Sequence, residues 1–217
     1  MMDALAAATF LLAVFTAALA FVTVFQKEMR SMCVRPRLRL SGQRSPRYVI
    51  RSPSSSWYWI RMELTNGTGI YSETARDVEI FIERVERLTA AGKFEPLQNV
   101  GLNLCWSWGT DTLFTDILPG TSKFFNIGHV THPSGRKDFP DYVSTEGAQA
   151  RAFMTLASYP RAPGYEAIFE PGVYRICLLI GGKNVRTERR WVKFGFEGEW
   201  TSNDKLMLPK LTLEIEH

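Results

Sequence analysis

The chain divides into one long apolar segment followed by a body in which apolar and polar residues alternate. The run from Ala4 to Phe25 carries no charge, and its polar residues are Thr9, Thr16 and Thr23. At a rise of about 1.5 Å per residue, a helix over this run is roughly 33 Å long, which is enough to cross the apolar core of a bilayer. The pattern predicts an N-terminal transmembrane helix within residues 1–25.

A cleaved signal peptide is the main alternative for this segment. Such a peptide has a basic start, an apolar core of about 7–15 residues and a cleavage site with small residues. The chain starts with Met1-Met2-Asp3, without Lys or Arg, and apolar residues continue to Phe25 beyond the cleavage-like Ala18-Leu19-Ala20. An uncleaved anchor is therefore the favoured interpretation. A buried helix of a soluble core comes third, because such helices are usually shorter.

Beyond the helix, the dominant period of apolar residues is two, which is typical of β-strands. In the first such segment, Tyr58, Ile60, Met62 and Leu64 share one face. Strands are predicted over residues 57–64, 78–82, 102–108, 124–130, 152–156, 173–180, 190–196 and 211–215. Residues 78–88 also fit a helical period, but a strand to residue 82 followed by a long excursion to Pro96 is favoured.

Pro/Gly turns between short strands favour an all-β fold, a β-sandwich. Pro119-Gly120 is followed by Phe124-Phe125-Asn126-Ile127, and Pro171-Gly172 leads into Val173-Tyr174-Arg175-Ile176. Through these features, residues 57–200 resemble an immunoglobulin-like or fibronectin type III-like fold. The resemblance implies a late strand that begins at a Pro-Gly turn and carries a tyrosine. We therefore expect a helix over residues 1–25, a basic juxtamembrane arm over 26–56, with residues 41–56 the most flexible, and a β-sandwich over 57–217.

The positive charge of the chain is concentrated in the arm. The formal net charge is +4, whereas residues 26–51 contain eight Lys or Arg against one acid, Glu28. The body is therefore slightly acidic, and a nucleic-acid partner is not predicted, since the arm also has few aromatic residues that could stack on bases. Basic residues beside a membrane helix attract anionic headgroups. The predicted lipid contacts are Lys27, Arg30, Arg35, Arg37 and Arg39.

The same charges predict the orientation of the protein. Lys and Arg near a membrane helix tend to stay in the cytoplasm, and here they follow the helix and do not precede it. The N-terminus is expected outside and the body in the cytoplasm. An extracytoplasmic body, tethered or secreted, is the alternative.

Small residues recur along the predicted helix at a spacing of three and four. Such a seam lets helices approach closely in lipid. It predicts possible self-association through one face of the helix. The residues of this seam are Ala6, Thr9, Ala13, Thr16, Ala20 and Thr23.

Two other features depend on the compartment. Cys105 and Cys177 are expected to be buried thiols in a cytoplasmic body and a possible bridge across facing sheets in an extracytoplasmic one. Asn66-Gly67-Thr68 matches a glycosylation sequon, but it also matches a tight hairpin turn, and the turn is favoured.

Candidate chemistry is sparse. The loop with His129, His132, Asp138 and Asp141 contains possible metal ligands, but its spacing fits no zinc pattern, so a metal-dependent enzyme is a remote alternative. Nucleophile and phosphate-loop motifs are absent from the sequence, and Gly181-Gly182-Lys183 predicts a hairpin turn. Neither catalytic residues nor a cofactor are predicted.

Trp57 and Trp59 lie on the strand face opposite Ile60 and Met62. Large apolar groups on both faces predict either a binding surface or a strand that is buried on both sides. The preferred hypothesis is a single-pass, non-enzymatic membrane protein whose cytoplasmic β-sandwich binds another protein through its edge strands or this tryptophan-bearing face.

Overall fold

The computed structural model describes residues 2–33, 35–52, 56–69, 72–98, 101–107, 112–138, 151–159 and 168–216. The structure is mostly β-sheet, with two antiparallel sheets that follow one N-terminal apolar helix in the chain. This confirms the all-β prediction at the level of a β-sandwich-like fold.

Helix α1 (Met2–Cys33) precedes the sheets, and a short helix, α2 (Asp204–Met207), lies before the last strand. Short 3-10 helices occupy Pro133–Asp138 and Leu208–Lys210. The strands of the described residues are β1 (Leu38–Ser41), β2 (Val49–Arg51), β3 (Trp57–Asn66), β4 (Ala75–Leu88), β5 (Phe94–Gln98), β6 (Leu102–Leu104), β7 (Thr115–Ile117), β8 (Ser122–Thr131), β9 (Phe153–Leu156), β10 (Ser158–Tyr159), β11 (Ile168–Phe169), β12 (Gly172–Gly182), β13 (Val185–Phe196) and β14 (Leu211–Glu216).

The first sheet has the strand order β1-β3-β8-β9-β11, and β2 also pairs with β3. The second sheet has the order β10-β6-β4-β12-β13-β14, with β5 and β7 paired to β4. The hydrophobic core lies between the sheets, and the inner face of β3 contributes Tyr58, Ile60, Met62 and Leu64, all at most 1% exposed. The alternation that predicted this strand therefore marks its buried face.

Strand β4 corrects the expectation for residues 78–96. It extends to Leu88 instead of ending at Ile82, and a short turn leads into β5, so neither a helix nor a long excursion forms. A register shift between Cys177 and Leu178 of the neighbouring β12 accommodates the extra residue Glu83 on β4. Such a bulge changes which residues share a face, and this explains why the apolar period of β4 looked helical.

The sandwich also takes in part of the segment that was predicted as an arm. Strand β1 pairs with the end of β3, and β2 pairs with its beginning. Leu38 and Leu40 pack against the core, and Tyr48 and Val49 belong to it. Tyr48 and Val49 are thus buried within residues 41–56, the range that the Arg/Ser/Pro-rich composition predicts to be the most flexible.

The dipeptide Asn66-Gly67 does not form the predicted hairpin turn. Strand β3 ends at Asn66 in the first sheet, and β4 begins at Ala75 in the second, so the chain crosses between sheets here. The Asn66 side chain is fully buried, and its Nδ2 donates hydrogen bonds to the carbonyl oxygens of Glu73 (2.8 Å) and Ile117 (2.9 Å). Asn66 therefore holds the crossover together.

Two predicted turns of the second sheet are present. Pro171-Gly172 opens β12, and the hydroxyl of Tyr174 donates a 2.6 Å hydrogen bond back to the carbonyl of Glu170. The Tyr174 ring stacks on Phe194 of β13 in the core. At the other end of β12, Gly182 pairs with Val185 and closes the predicted hairpin to β13.

Candidate functional site

Helix α1 is the one helix of the described residues that is long and apolar enough to cross a membrane, over Ala6–Gln26, and a signal sequence passes the same test. None of this span is buried against the body. All six residues of the predicted seam are exposed, and the hydroxyls of Thr16 and Thr23 donate to the carbonyls of Leu12 and Leu19 in their own helix. These two seam hydroxyls are thus satisfied without a partner helix.

The predicted lipid contacts lie on two elements. Lys27 and Arg30 fall on the last two turns of α1, which continues to Cys33, while Arg39 belongs to β1. The side chains of Arg35, Arg37 and Arg39 are exposed. Only four residues separate Cys33 from Leu38, a span of at most about 17 Å when fully extended. The sandwich is therefore tethered close to the end of the helix.

A buried carboxylate anchors the start of the sandwich on the outer face of the first sheet. Glu63 is 6% exposed and accepts hydrogen bonds from Arg47 (2.5 Å), Tyr48 (3.1 Å) and Ser122 (2.5 Å). Burial alone would raise the pKa of Glu63, but the three hydrogen bonds and the Arg47 charge outweigh it and hold this pKa below its ordinary value. Glu63 is thus a structural anion that fixes residues 47–48 against β3 and β8.

The two tryptophans of the predicted partner surface form a packed cluster around a histidine. His129 of β8 lies opposite Trp59, and its ring is 4.7 Å from the Trp57 ring and 4.8 Å from the Trp59 ring. His129 is buried and shares a hydrogen bond with the hydroxyl of Thr155 on β9. Trp57 and Trp59 remain partly exposed. The two indole ring centroids are 6.0 Å apart, so the three rings pack against one another.

The cluster contains two buried polar atoms that no described residue hydrogen-bonds. Trp57 and Thr131 lie directly opposite each other on β3 and β8. Trp57 Nε1 and Thr131 Oγ1 are both buried, and neither has a hydrogen-bond partner among the residues that the structure describes. Beside them, Gly135 of the 3-10 helix packs so closely on Thr131 that an added Cβ would lie 2.5 Å from its Cγ2.

The loop with possible metal ligands, which the sequence did not predict to bind a metal, separates its two histidines. His129 packs against Trp57 and Trp59, whereas the His132 ring packs edge-on against Trp200. No group of three His, Cys, Asp or Glu side chains that could hold a metal ion occurs among the described residues. The Asp138 side chain and Asp141 lie outside those residues.

A second aromatic contact involves Trp200, which packs against both His132 and Tyr58. The Tyr58 hydroxyl donates a 2.8 Å hydrogen bond to Oδ1 of Asp204, and its ring packs on Trp200. Burial, followed by the interaction with the Asp204 carboxylate, raises the pKa of Tyr58. This contact attaches α2 to the core.

The cysteines do not face each other across the sandwich as expected for an extracytoplasmic body. Cys105 directly follows β6, Cys177 lies on β12, and β4 separates these strands in one sheet. Two strand spacings amount to about 10 Å, beyond the roughly 7 Å that a disulfide can bridge between Cα atoms. Both cysteines are buried and are not bridged to each other, and burial raises the pKa of Cys177 to about 11.

A groove on the outer face of the second sheet was not predicted from the sequence. It has a volume of ≈ 400 Å³ and lies over Phe81 of β4 and Leu179 of β12, with Phe114 beside it. Gly181 leaves this space open. The sequence feature that indicates the groove is Gly181, which continues the alternation of strand β12 without a side chain. By itself, the Gly181-Gly182 pair predicts only a turn.

The chain matches no protein-family model, no curated protein and no solved structure. Functional inference therefore rests on its own residues.

Proposed function

We propose that the protein is a single-pass membrane protein whose β-sandwich lies in the cytoplasm and acts by binding another protein, without catalysing a reaction. The observation that carries this proposal is the unburied apolar span of α1, Ala6–Gln26, joined by a short connection to the β-sandwich. An apolar surface of this size is unfavourable in water, and it is not covered by the body.

Three observations support a cytoplasmic body. The basic residues follow the helix, which favours retention of that side in the cytoplasm. Cys105 and Cys177 are not joined in a disulfide, as is usual in a reducing compartment. Asn66 is fully buried, so its sequon has no accessible acceptor in the folded domain. An extracytoplasmic body with the same fold is the alternative.

We further infer an immunoglobulin-like arrangement of the central strands. Strands β4, β12 and β13 pair in the manner of strands C, F and G, while β3 and β8 pair in the manner of B and E. The hydrogen bond from Tyr174 to the Glu170 carbonyl has the form of a tyrosine corner. Strands β9, β11 and β14 extend the sheets beyond that arrangement.

The arm supplies a second contact, to the membrane surface. Lys27 and Arg30 lie in helix α1 beyond its apolar span. Arg35 and Arg37 follow in the connection to the sandwich, and Arg39 lies in β1. We infer that these residues contact anionic headgroups, at about 1 kcal/mol per basic residue near the surface. This contact would hold the sandwich against the bilayer.

Self-association through the seam of α1 is part of the proposal. Exposed Ala13 and Thr16 lie on it, and a second helix could approach closely there. A membrane-embedded dimerisation reporter fused to α1 should lose signal in Ala13→Leu and Thr16→Leu, while Leu12→Ala, off the seam, should keep it. An unchanged signal in both seam variants would exclude this interface.

Photo-crosslinking in intact membranes tests the proposed protein contact. A benzophenone amino acid at Trp59 or Phe114, both solvent-accessible, should yield a discrete protein adduct, whereas Lys205 on α2 serves as an exposed control position. Adducts of equal yield from all three positions, or adducts with lipid alone, would contradict a specific protein-binding role.

A further inference from the structure

The groove on the second sheet has an apolar floor in the middle of a bonded sheet. Phe81 and Leu179 lie opposite each other on β4 and β12, and Phe114, 51% exposed, stands beside them. Next to this pair, Gly181 lies opposite Glu79. Gly181 occupies the strand position whose side chain would cover this floor, and as a glycine it has no side chain.

The backbone does not require glycine at this position. Gly181 is not one of the described glycines with positive φ, and an added Cβ would lie 3.4 Å from Thr187 Oγ1, an ordinary contact. Gly182 differs, because a Cβ there would lie 2.8 Å from the carbonyl oxygen of Arg76. Glycine inside a strand weakens it and often marks a bulge or the close approach of a ligand. A register shift does occur between Ile180 and Gly182, yet Gly181 itself could carry a side chain.

The charges at the rim of the groove differ from those on the rest of this face. Further along β4, Glu83 pairs with Arg189, and Glu86 pairs with Arg175. In contrast, Asp77, Glu79 and Lys183 line the groove without an ion pair to any residue that the structure describes. Within the described part of the chain, two carboxylates and one ammonium of the rim have no ion pair, so the rim favours a cationic ligand group.

The backbone at the rim is also constrained. Asp77 is the one non-glycine residue of the described chain with positive φ, at 49°, and its N–H donates a 2.9 Å hydrogen bond to Oδ1 of Asp116. Left-handed backbone is costly for most residues and persists where surrounding contacts enforce it. Here the side chain of Asp116 on β7 fixes the course of the chain at one end of the groove.

From these features we propose that the groove binds a peptide segment of a protein partner. The segment places one aromatic or large aliphatic side chain over Phe81 and Leu179, and a neighbouring Lys or Arg pairs with Asp77 or Glu79. The inference rests on the proposed protein-binding function and names its site and the class of segment recognised. A second copy of this chain or an acidic peptide would be the wrong occupant.

A matrix of short peptides tests this assignment with the full chain in nanodiscs of neutral lipid. Labelled nine-residue peptides have Phe, Leu or Ala at the centre, flanked on both sides by Lys, Glu or Ser, and binding is measured by fluorescence anisotropy. Lys-flanked Phe or Leu peptides should bind with a Kd below about 100 µM. Replacing the central residue by Ala, or the flanking Lys by Glu, should weaken binding at least about tenfold, which corresponds to about 1.4 kcal/mol.

Variants locate the binding to the groove. Gly181→Val places a side chain in the groove, its Cβ would meet only Thr187 within 4 Å, and the change should weaken binding at least about tenfold. Glu79→Lys should reverse the preference toward Glu-flanked peptides. Gly101→Ala is the matched control, because nothing lies within 4 Å of its added Cβ. Circular dichroism and thermal melts verify that each variant is folded.

The outcomes separate the groove from the wider proposal. Absence of binding across the matrix, binding that survives Gly181→Val, or no change of preference in Glu79→Lys would overturn the groove assignment. Self-association that Gly181→Val abolishes, without peptide binding, would identify a second copy as the occupant and also overturn it. Trp59 lies in the other sheet, so a protein adduct from Trp59 can survive failure of the groove assignment. Absence of protein adducts from both Trp59 and Phe114 would instead count against the protein-binding function itself.

Discussion

Tyr58 and Asp204 join the inner face of β3 to helix α2 through a 2.8 Å hydrogen bond across 146 residues of sequence. Tyr58 is 1% exposed, and its ring also packs on Trp200. The contact therefore fastens the segment before β14 onto the core.

Removing this hydrogen bond should destabilise the fold moderately. In Tyr58→Phe, the free energy of unfolding should fall by about 1–2 kcal/mol, since the acceptor is a charged but exposed carboxylate. Chemical denaturation measures the change. Asp204→Ala is the partner variant, because it removes the acceptor, and the double variant should cost less than the sum of the two single changes. Full additivity would mean that the two groups do not interact.

Asn66 should act through structure and not through glycosylation. Asn66→Ala leaves the carbonyls of Glu73 and Ile117 without their donor and should lower the free energy of unfolding by about 2–3 kcal/mol. Thr68→Ala removes the same sequon at an exposed position and should change stability by less than about 0.5 kcal/mol. Equal effects of the two variants on stability would contradict this role.

Cys177 should be chemically silent in the folded protein. It is 2% exposed, and burial, followed by its hydrogen bond to Glu83, raises its pKa to about 11. Since the thiolate is the reactive form, maleimide labelling resolved by mass spectrometry should occur only as fast as the domain unfolds. An engineered thiol in Lys205→Cys, at an exposed position, provides the rapid reference. Labelling of Cys177 at a comparable rate would refute its burial.

The pair of Glu83 and Arg189 should contribute to acid sensitivity. Hydrogen bonds from Arg189, followed by that from Cys177, lower the pKa of Glu83 from 4.5 to about 2. A carboxyl with a lowered folded-state pKa stabilises the fold above its ordinary pKa, and the benefit is lost as the pH falls toward 2. The stability difference between wild type and Glu83→Gln should therefore shrink from about pH 6 downward.

The Arg189→Gln background provides the control for this titration. Without the Arg189 guanidinium, Glu83→Gln should leave the pH dependence of the free energy of unfolding nearly unchanged. Both side chains are partly exposed, so the effect is small and screened by salt. A stability difference between wild type and Glu83→Gln that grows on acidification would contradict the pairing of Glu83 with Arg189.

The sequence predicted the central strands well because burial of one face imposes a period of two. The inner residues of β3 and β12 follow this rule, as Ile60 and Ile176 illustrate with at most 1% exposure. The rule failed where a bulge interrupted the alternation of β4 at Glu83. It also missed β1 and β2, because strands this short carry too few residues to show a period.

The candidate sites were harder to predict, because they depend on which strands become neighbours. Trp57 and Trp59 were identified by their position on the outer face, but their contact with His129 arises only when β3 pairs with β8. The groove likewise requires β4 beside β12, and a local pattern contains no information about that pairing. Asn66-Gly67 has the composition of a hairpin turn, yet the sheet crossover overrides this preference.

Cysteine accessibility in intact cells tests the central claim most directly. Asp3→Cys and Lys205→Cys place thiols before α1 and on the exposed surface of the sandwich, and a membrane-impermeant maleimide reports which of them is outside. A single-pass anchor with a cytoplasmic sandwich predicts labelling of Asp3→Cys in intact cells and of Lys205→Cys only after permeabilisation. Labelling of Lys205→Cys in intact cells, or its release into the medium, would contradict the account.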